Sequence, residues 1–454
     1  MVPPTQRYVG ARVMSSGKPG RVITGAFALA IAAGTGLLML PAANDRGDVT
    51  HWVDALFTAT SAVCVTGLAT VDTEHHWTDF GRAVILVLIQ LGGLGIMTVA
   101  TLIAAFFSKN LGLQTQLTAR AERNSVRGTD VRRLLGAVVG FSLAMEALAA
   151  LVLTARFALF YRQPLGEAVW SGVFHAISAF NNAGFGLFSD NLVRYAGDGW
   201  VLMTVSLAVI IGGLGFPVVF EIARNWRRPR MLSAVTKITL PMTLALLVLG
   251  TIAFMVFEGR NPGTLGAWKG GQFVALAFFT SVMPRTAGFN AIDIGAMHQE
   301  SLLLSDVFMF IGGGSAGTAG GIKVTTFGLL AFVLWAEMRG KSDVEVDRRR
   351  IEVANQRQAV AIALLGVALV MAGTMLLLVI TRASLSAVLF EAASAFGTAG
   401  LSTGITPTLP DSAKLVLVGL MFTGRLGPLT LASALAMRER VSGRRLPEER
   451  MTLG

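Results

Sequence analysis

Four short segments of the chain combine glycine with hydroxyl-bearing residues in a pattern that could hold a cation. They read TSAVCVTGLATVD, ISAFNNAGFGLFSD, TSVMPRTAGFNAID and ASAFGTAGLSTGI. Each joins an apolar stretch too short to cross a membrane to a polar segment that contains glycine. A ring of backbone carbonyls can replace the hydration shell of a monovalent cation, and glycine approaches an axis with no Cβ in the way. The segments therefore predict a site for a dehydrated monovalent cation.

The four segments recur at a regular interval along the chain. Their shared glycines lie 117, 104 and 112 residues apart, at Gly67, Gly184, Gly288 and Gly400. A second glycine landmark follows each of them after 24 to 28 residues, at Gly92, Gly212, Gly312 and Gly424. Because both glycine landmarks recur at similar intervals, they indicate four internal repeats with one orientation.

The composition is that of an integral membrane protein. Hydrophobic residues make up 53% of the 454 residues and charged residues 14%, and the mean hydropathy is +0.63. Such a chain has more apolar surface than a soluble core of this size requires. Runs long enough to cross the hydrocarbon, which takes about 20 residues, lie near 21–41, 82–107, 133–157, 200–223, 236–257, 302–336, 358–381 and 413–437.

Charge placement predicts the orientation. Lys and Arg cluster before the first run and after the second, fourth, sixth and eighth. The positive-inside bias then places both termini in the cytoplasm of a cell whose plasma membrane, or inner membrane in bacteria, the chain crosses repeatedly. The net charge of +11 follows from this topology, and nucleic-acid binding is disfavoured. The lone Cys64 excludes an intrachain disulfide and a cysteine-based metal site.

We therefore predict an all-α integral membrane fold of eight transmembrane helices. They form four parallel repeats around one central pore, each repeat being a membrane helix, a pore half-helix and a second membrane helix. The predicted divisions are a cytoplasmic N-terminal segment (1–20), repeat 1 (21–107), repeat 2 (130–224), repeat 3 (236–338), repeat 4 (357–437) and a cytoplasmic C-terminal tail (438–454).

The repeated motifs resemble a known family. NNAGF (181–185), RTAGFN (285–290), GTAGLST (397–403) and MFIGGGSAGTAGGIKVTTF (309–327) are similar to the Trk/Ktr/HKT superfamily of potassium transporters, over essentially the whole chain. Eight spans without extra N-terminal helices look most like the Ktr-type membrane subunit. The resemblance implies that one glycine per repeat favours potassium over sodium.

The resemblance also implies which residues form the potassium filter. They are Val65, Thr66 and Gly67, Asn182, Ala183 and Gly184, Thr286, Ala287 and Gly288, and Thr398, Ala399 and Gly400, with coordination by carbonyls next to the glycines. The only metal expected is the permeant K⁺ at this filter. The first repeat departs from the pattern, since it reads VTG where the others read AG.

The sixth apolar run contains a glycine-rich interruption. It comprises Gly312, Gly313, Gly314, Ser315, Ala316, Gly317, Thr318, Ala319, Gly320 and Gly321. Each glycine costs a helix roughly 1 kcal/mol relative to alanine, so we expect a broken segment. The resemblance implies a gate loop, 312–321, that obstructs the pore below the filter. Close helix packing through small residues is the alternative interpretation.

Two basic residues accompany the gate loop. Lys323 follows it and could anchor or neutralise it. Arg425 occupies the last run where other repeats carry the second glycine of a pair, and a guanidinium at that depth usually faces a cavity or a partner. We expect it to face the pore and to hold the gate loop, the alternative being an arginine that snorkels from a helix end.

The predicted function is the potassium-translocating subunit of a potassium uptake system, with no enzymatic activity and no organic cofactor. Sodium stimulation is a family implication, and a cation symporter with alternating access is the alternative function. Glu146, His175 and Glu391 could form a proton relay or be braced singly by neighbours.

The resemblance further implies a homodimer in the lipid bilayer and a cytosolic ring of nucleotide-binding (RCK-type) regulatory subunits. This ring would dock on basic loops that include Arg348, Arg349 and Arg350. Alternatively, these arginines only set the topology.

Overall fold

The computed structural model describes residues 17–110, 129–341, 343–346 and 349–427, with side chains for 23–95, 135–341, 343–346 and 349–427. The predicted C-terminal tail, Arg348 and most of the N-terminal segment lie outside the described residues. The described chain is helical, and its helices are α1 (Gly17–Leu38), α2 (Trp52–Val63), α3 (Asp79–Asn110), α4 (Thr129–Leu159), α5 (Leu165–Phe180), α6 (Gly199–Leu214), α7 (Phe216–Asn225), α8 (Ala234–Glu258), α9 (Gly270–Val282), α10 (Gln299–Phe310), α11 (Val324–Met338), α12 (Val353–Thr381), α13 (Leu385–Gly397) and α14 (Asp411–Leu426). Between α11 and α12, a strand β1 (Glu345–Val346) pairs antiparallel with β2 (Arg349–Arg350).

Within the described residues, each predicted apolar run overlaps one helix or two consecutive helices, and positions 428–437 of the last run lie outside that part of the chain. Among the described residues, three helical stretches are long and apolar enough to cross a membrane: Leu135–Leu159, Ala234–Glu258 and Val353–Thr381. The pair α6 and α7, bent by 95°, becomes a fourth if it is counted as one span. Large apolar side chains on these helices face outwards, as Leu151 and Val379 do with 70% and 80% of their surface exposed.

Two of the long runs are interrupted, each at glycine. Gly215, with φ of 89°, separates α6 from α7, and Pro217 at the start of α7 has no N–H to continue the first helix. The sixth run splits into α10 and α11 around residues 311–323, as its glycine content predicted. Both breaks lie side by side, because the amide of Gly314 donates to the carbonyl of Gly213 at 2.8 Å.

The helices α2, α5, α9 and α13, which we call the short helices, have 12 to 16 residues and carry the glycine motifs at their C-terminal ends. Their last turns are almost wholly buried. The first and last parts of the chain meet where α14 packs against α2, and Lys414 Nζ lies 2.8 Å from Asp54 Oδ1. This ion pair closes the arrangement of short helices.

Candidate functional site

A left-handed residue follows the end of each short helix. Its φ is 55° at Val65, 58° at Asn182, 66° at Thr286 and 49° at Thr398. Two residues later comes the motif glycine, again with positive φ, at Gly67 (94°), Gly184 (70°), Gly288 (74°) and Gly400 (85°). We call residues 65–67, 182–184, 286–288 and 398–400 the glycine loops. Their shared backbone pattern fits the four sequence segments that predicted them.

The four glycine loops contact one another in a closed cycle. A Cβ added to any of the motif glycines would collide with the next loop: 2.5 Å from Ala183 O at Gly67, 2.7 Å from Gly288 Cα at Gly184, 2.8 Å from Ala399 O at Gly288, and 2.0 Å from Thr66 O at Gly400. Contacts under 3.0 Å are not tolerated by a real side chain. Only glycine therefore allows the four backbones to approach this closely. We call Gly67, Gly184, Gly288 and Gly400 the glycine ring.

The glycine ring lines one end of a single polar cavity. All four ring glycines border this cavity of about 400 Å³, which we call the vestibule. Its other polar lining residues are Thr70, Asp72, Thr73, Ser189, Asn191, Asn290 and Ser402. The side chains of the loop residues Thr66, Ala183, Ala287 and Ala399 are fully buried. The glycine loops can therefore offer only backbone groups to a cation in the vestibule.

Side chains of the short helices brace the loops that follow them. Ser61 Oγ accepts a hydrogen bond from the amide of Gly67 at 3.1 Å, and Ser178 Oγ donates to the carbonyl of Phe185 at 2.8 Å. We did not predict these serines, although both stand six residues before a ring glycine, as Ser394 does. That shared spacing was the available signal.

The three residues considered for a proton relay lie in separate networks. Glu391 accepts from Ser402 Oγ and Thr406 Oγ1, while His175 Nδ1 lies 2.7 Å from the carbonyl of Ser171. Glu146 accepts from two amide side chains, those of Gln90 and Asn181. No hydrogen bond joins the three among the described residues, which favours single bracing over a relay.

The gate loop packs against the end of α6. Its amides at Gly314 and Thr318 donate to the carbonyls of Gly213 and Gly212, at 2.8 and 3.2 Å. Gly312 N donates to Ile322 O at 2.8 Å, so the loop also closes on itself. Lys323 Nζ donates to the carbonyl of Ala319 within the loop.

Arg425 is buried, with 3% of its surface exposed, and its guanidinium spans two elements. One terminal nitrogen donates to the carbonyl of Thr318 in the gate loop, and the other donates to the carbonyl of Gly92 on α3 at 3.0 Å. No carboxylate pairs with it among the described residues. The arginine thus joins residues 312–321 to α3 and is buried rather than extended to the surface.

Arg285, next to the third glycine loop, points elsewhere. Its guanidinium reaches the carbonyl and hydroxyl of Thr243 on α8 at 3.4 and 3.5 Å. Burial among apolar helices leaves it no carboxylate partner in the described part of the chain. Its hydrogen bonds therefore join the segment before the third glycine loop to α8.

Fold and site together define a class: a helical membrane protein whose repeated loops enclose one polar cavity. The sequence profile described as TrkH, a cation transport protein, matches residues 23–440. The chain belongs to this family. It is a cation transporter and not an enzyme, and the family resemblance predicted from the motifs is confirmed.

Individual relatives extend over nearly the whole chain. The Ktr system potassium uptake protein B of Bacillus subtilis is 40% identical over 96% of this chain and 97% of its own length. The potassium/sodium uptake protein NtpJ of Enterococcus hirae is 36% identical over 98% and 99%, respectively. The structure of the potassium transporter TrkH from Vibrio parahaemolyticus matches with a TM-score of 0.73 over 96% of this chain and 87% of that one, at 17% identity. The last comparison establishes the fold.

Proposed function

We propose that this chain is the potassium-translocating subunit of a potassium uptake system. The observation that carries the proposal is the closed glycine ring at one end of the vestibule. Carbonyls of residues 65–66, 182–183, 286–287 and 398–399 would replace the water around a dehydrated K⁺. The short helices end at these loops and direct the negative ends of their dipoles towards the ion. The names of the relatives support potassium as the permeant ion.

The proposed architecture is fourfold. The helices group as α1 to α3, α4 to α7, α8 to α11 and α12 to α14, and each group contains one short helix between longer elements. In this arrangement the long elements provide eight spans, and the short helices are re-entrant. Non-helical backbone at membrane depth is tolerated where it lines a water-filled path. The glycine loops would therefore lie inside the pore.

The gate loop would close the pore on the side of the ring opposite the vestibule. Gly320 packs beneath a glycine loop, since an added Cβ there would lie 2.0 Å from Thr398 Oγ1. Arg425 and Lys323 place two cationic groups on the same loop. Their charges would repel a permeating cation until the loop moves.

The proposal also includes a role for sodium, a homodimer and a cytosolic regulatory ring. The name of the Enterococcus relative supports Na⁺ as a second permeant or stimulating ion. Outward-facing apolar residues fit a lipid environment and leave surface for a homodimer. A cytosolic nucleotide-binding ring would dock on the β1–β2 region, where Arg350 pairs with Asp343 at 2.9 Å.

The proposed function is tested by ion flux in reconstituted vesicles. Purified protein in liposomes loaded with potassium should take up radiolabelled rubidium, and external K⁺ should compete with rubidium far better than Na⁺ does. A closed gate predicts silence, so the assay is repeated with the cytosolic partner subunits added. No uptake in either condition, or equal competition by both ions, would contradict the proposal.

A further inference from the structure

One hydrogen bond joins the gate loop directly to a glycine loop. Thr318 Oγ1 donates to Asn182 Oδ1 at 2.8 Å, and both residues are buried, with 0% and 1% of their surface exposed. Asn182 Nδ2 has no partner, and no other side-chain hydrogen bond holds this amide among the described residues. The position of the Asn182 side chain therefore depends on the hydroxyl of Thr318.

The backbone of Asn182 lies in a left-handed conformation directly beside the glycine ring. Its φ is 58°, in a region that most non-glycine residues avoid and that asparagine tolerates better than most. The next carbonyl, that of Ala183, abuts the position where Gly67 would carry a Cβ. A shift of Asn182 would move this carbonyl within the glycine ring.

Thr318 is also one of the residues by which the gate loop is held, and its hydroxyl lies 3.4 Å from a second acceptor, Phe180 O on α5. Its carbonyl accepts from Arg425, and its amide donates to Gly212 O at 3.2 Å. Any movement that takes the loop out of the pore must separate Thr318 from these partners and from Asn182 together. Gate position and loop geometry at Asn182 are thus linked through one residue.

We propose that Thr318 is a positioning residue that sets ion specificity. Its hydroxyl holds Asn182, so that discrimination between K⁺ and Na⁺ at the glycine ring depends on this one contact with the gate loop. The inference rests on the proposed function and deepens it. Linkage is reciprocal, so an ion that fits the ring also stabilises the gate loop in its observed position.

Three variants separate the hydrogen bond from other effects. Thr318→Val keeps the shape and removes the hydroxyl, and Thr318→Ser keeps the hydroxyl. Ser315→Ala loosens the same loop elsewhere, because Ser315 Oγ lies 2.7 Å from Thr325 Oγ1 and makes no hydrogen bond to Asn182 in the described part of the chain. Thr318→Ala provides a second hydroxyl-free variant should the valine protein not be monodisperse.

The readout is ion binding by the purified protein. A ligand raises the unfolding temperature by mass action, so titrations with KCl and NaCl give the ratio of the two apparent affinities without transport. Loss of a hydrogen bond of about 1 kcal/mol should reduce the K⁺ preference of Thr318→Val by about three- to tenfold. Thr318→Ser and Ser315→Ala should keep the wild-type ratio, even if Ser315→Ala changes the rate of rubidium uptake.

Two results would overturn the inference. One is a wild-type ratio in both hydroxyl-free variants, and the other is an equal loss of preference in Ser315→Ala. Failure of the proposed function has a different signature: wild-type protein would then show neither K⁺-dependent stabilisation nor rubidium uptake.

Discussion

At the ring positions, backbone conformation and available space both require glycine. Gly400 shows this most clearly, because its φ is 85° and an added Cβ would lie 2.0 Å from the carbonyl of Thr66. The repeated motif identified all four glycines, since each stands at the same place in a recurring segment. It could not identify their mutual contacts, which join residues from all four repeats.

Substitution of Arg425 tests the role of a single side chain at the gate loop. Arg425→Ala removes both hydrogen bonds and the charge, so rubidium uptake without partner subunits should rise several-fold as the gate loop loses its tie to α3. Arg425→Lys keeps the charge but has one ammonium nitrogen in place of the two terminal nitrogens of the guanidinium. Its rubidium uptake should therefore lie between that of Arg425→Ala and that of the wild type.

The control for this pair is the elution profile of each variant in detergent, which verifies that the protein is folded. If Arg425→Ala leaves both the uptake rate and the apparent K⁺ affinity unchanged, the role of the arginine in gating is contradicted.

The second glycine landmark, at Gly92, Gly212, Gly312 and Gly424, lies where backbone segments pack closely against one another. In three of the four helix groups, this glycine abuts the carbonyl of the residue that lies four positions before the ring glycine. An added Cβ would lie 2.0 Å from Val63 O at Gly92, 1.9 Å from Phe180 O at Gly212 and 1.8 Å from Phe396 O at Gly424. In the third group, Gly312 instead meets the carbonyl of Gly320 in the gate loop at 2.0 Å. In the third group, a contact with the gate loop therefore replaces the contact with a short helix that the other three groups make.

This packing predicts a large difference between two glycines of α14. Gly424→Ala should cost about 1–3 kcal/mol or more, as overpacking does, because a backbone carbonyl cannot move aside as a side chain can. Gly419→Ala should be neutral or slightly stabilising, since nothing lies within 4 Å of its added Cβ and alanine favours helix. Thermal unfolding of the two variants in detergent measures the difference. Equal melting temperatures would contradict the packing role.

The positions at which helices break or bend could be predicted only in part from the sequence. The glycine content of the sixth run predicted its break, but the similar motifs LGGLGIM and IGGLGFP behave differently. The first continues as helix through Gly95, whereas the second bends by 95° at Gly215. Pro217 supplies the physical reason, since it cannot donate to the preceding turn, and α3 has no proline at that place.

For the whole molecule, charge around the vestibule should affect how cations enter. Asp72 lines the vestibule, and Ser189 Oγ and His75 Nδ1 lie 2.5 and 3.0 Å from its Oδ2. Partial burial alone would raise the pKa of Asp72, but these hydrogen bonds outweigh it and hold the pKa below its ordinary value. The hydrogen bond and charge of Asp72, with a contribution from Glu74, raise the pKa of His75 against the small opposing effect of Arg82. His75 therefore gains a positive charge at a higher pH than an ordinary histidine does when the solution around the vestibule is acidified.

Acidification should consequently weaken cation entry. From pH 8 to 6 on the vestibule side, the apparent KM for rubidium should rise by about twofold at most, the effect of one charge acting through water over roughly one Debye length (~10 Å at 0.1 M salt), and more at low ionic strength. His75→Gln carries no charge at either pH and should show a flatter profile, with unchanged maximal rate. A pH dependence identical to wild type in His75→Gln would exclude this residue as its origin.

The contact between α14 and the first short helix, α2, could not be predicted from the sequence. Lys414 and Asp54 are 360 positions apart, and neither belongs to a repeated motif. Their ion pair joins α14 to α2, the short helix that precedes the first glycine loop. The repeat pattern predicted four equivalent loops, whereas this contact is made by two residues outside that pattern.

The most direct test of the central claim compares two glycines of the fourth loop region. Gly400 and Gly404 both have positive φ, of 85° and 94°, and both line the vestibule, but only Gly400 has no room for a Cβ. The measurement is rubidium uptake into potassium-loaded liposomes under increasing external sodium, for Gly400→Ala and Gly404→Ala. Gly400→Ala should lose discrimination against sodium while Gly404→Ala keeps it. A folded Gly400→Ala protein that discriminates as wild type does would contradict the glycine ring as the site of ion selection.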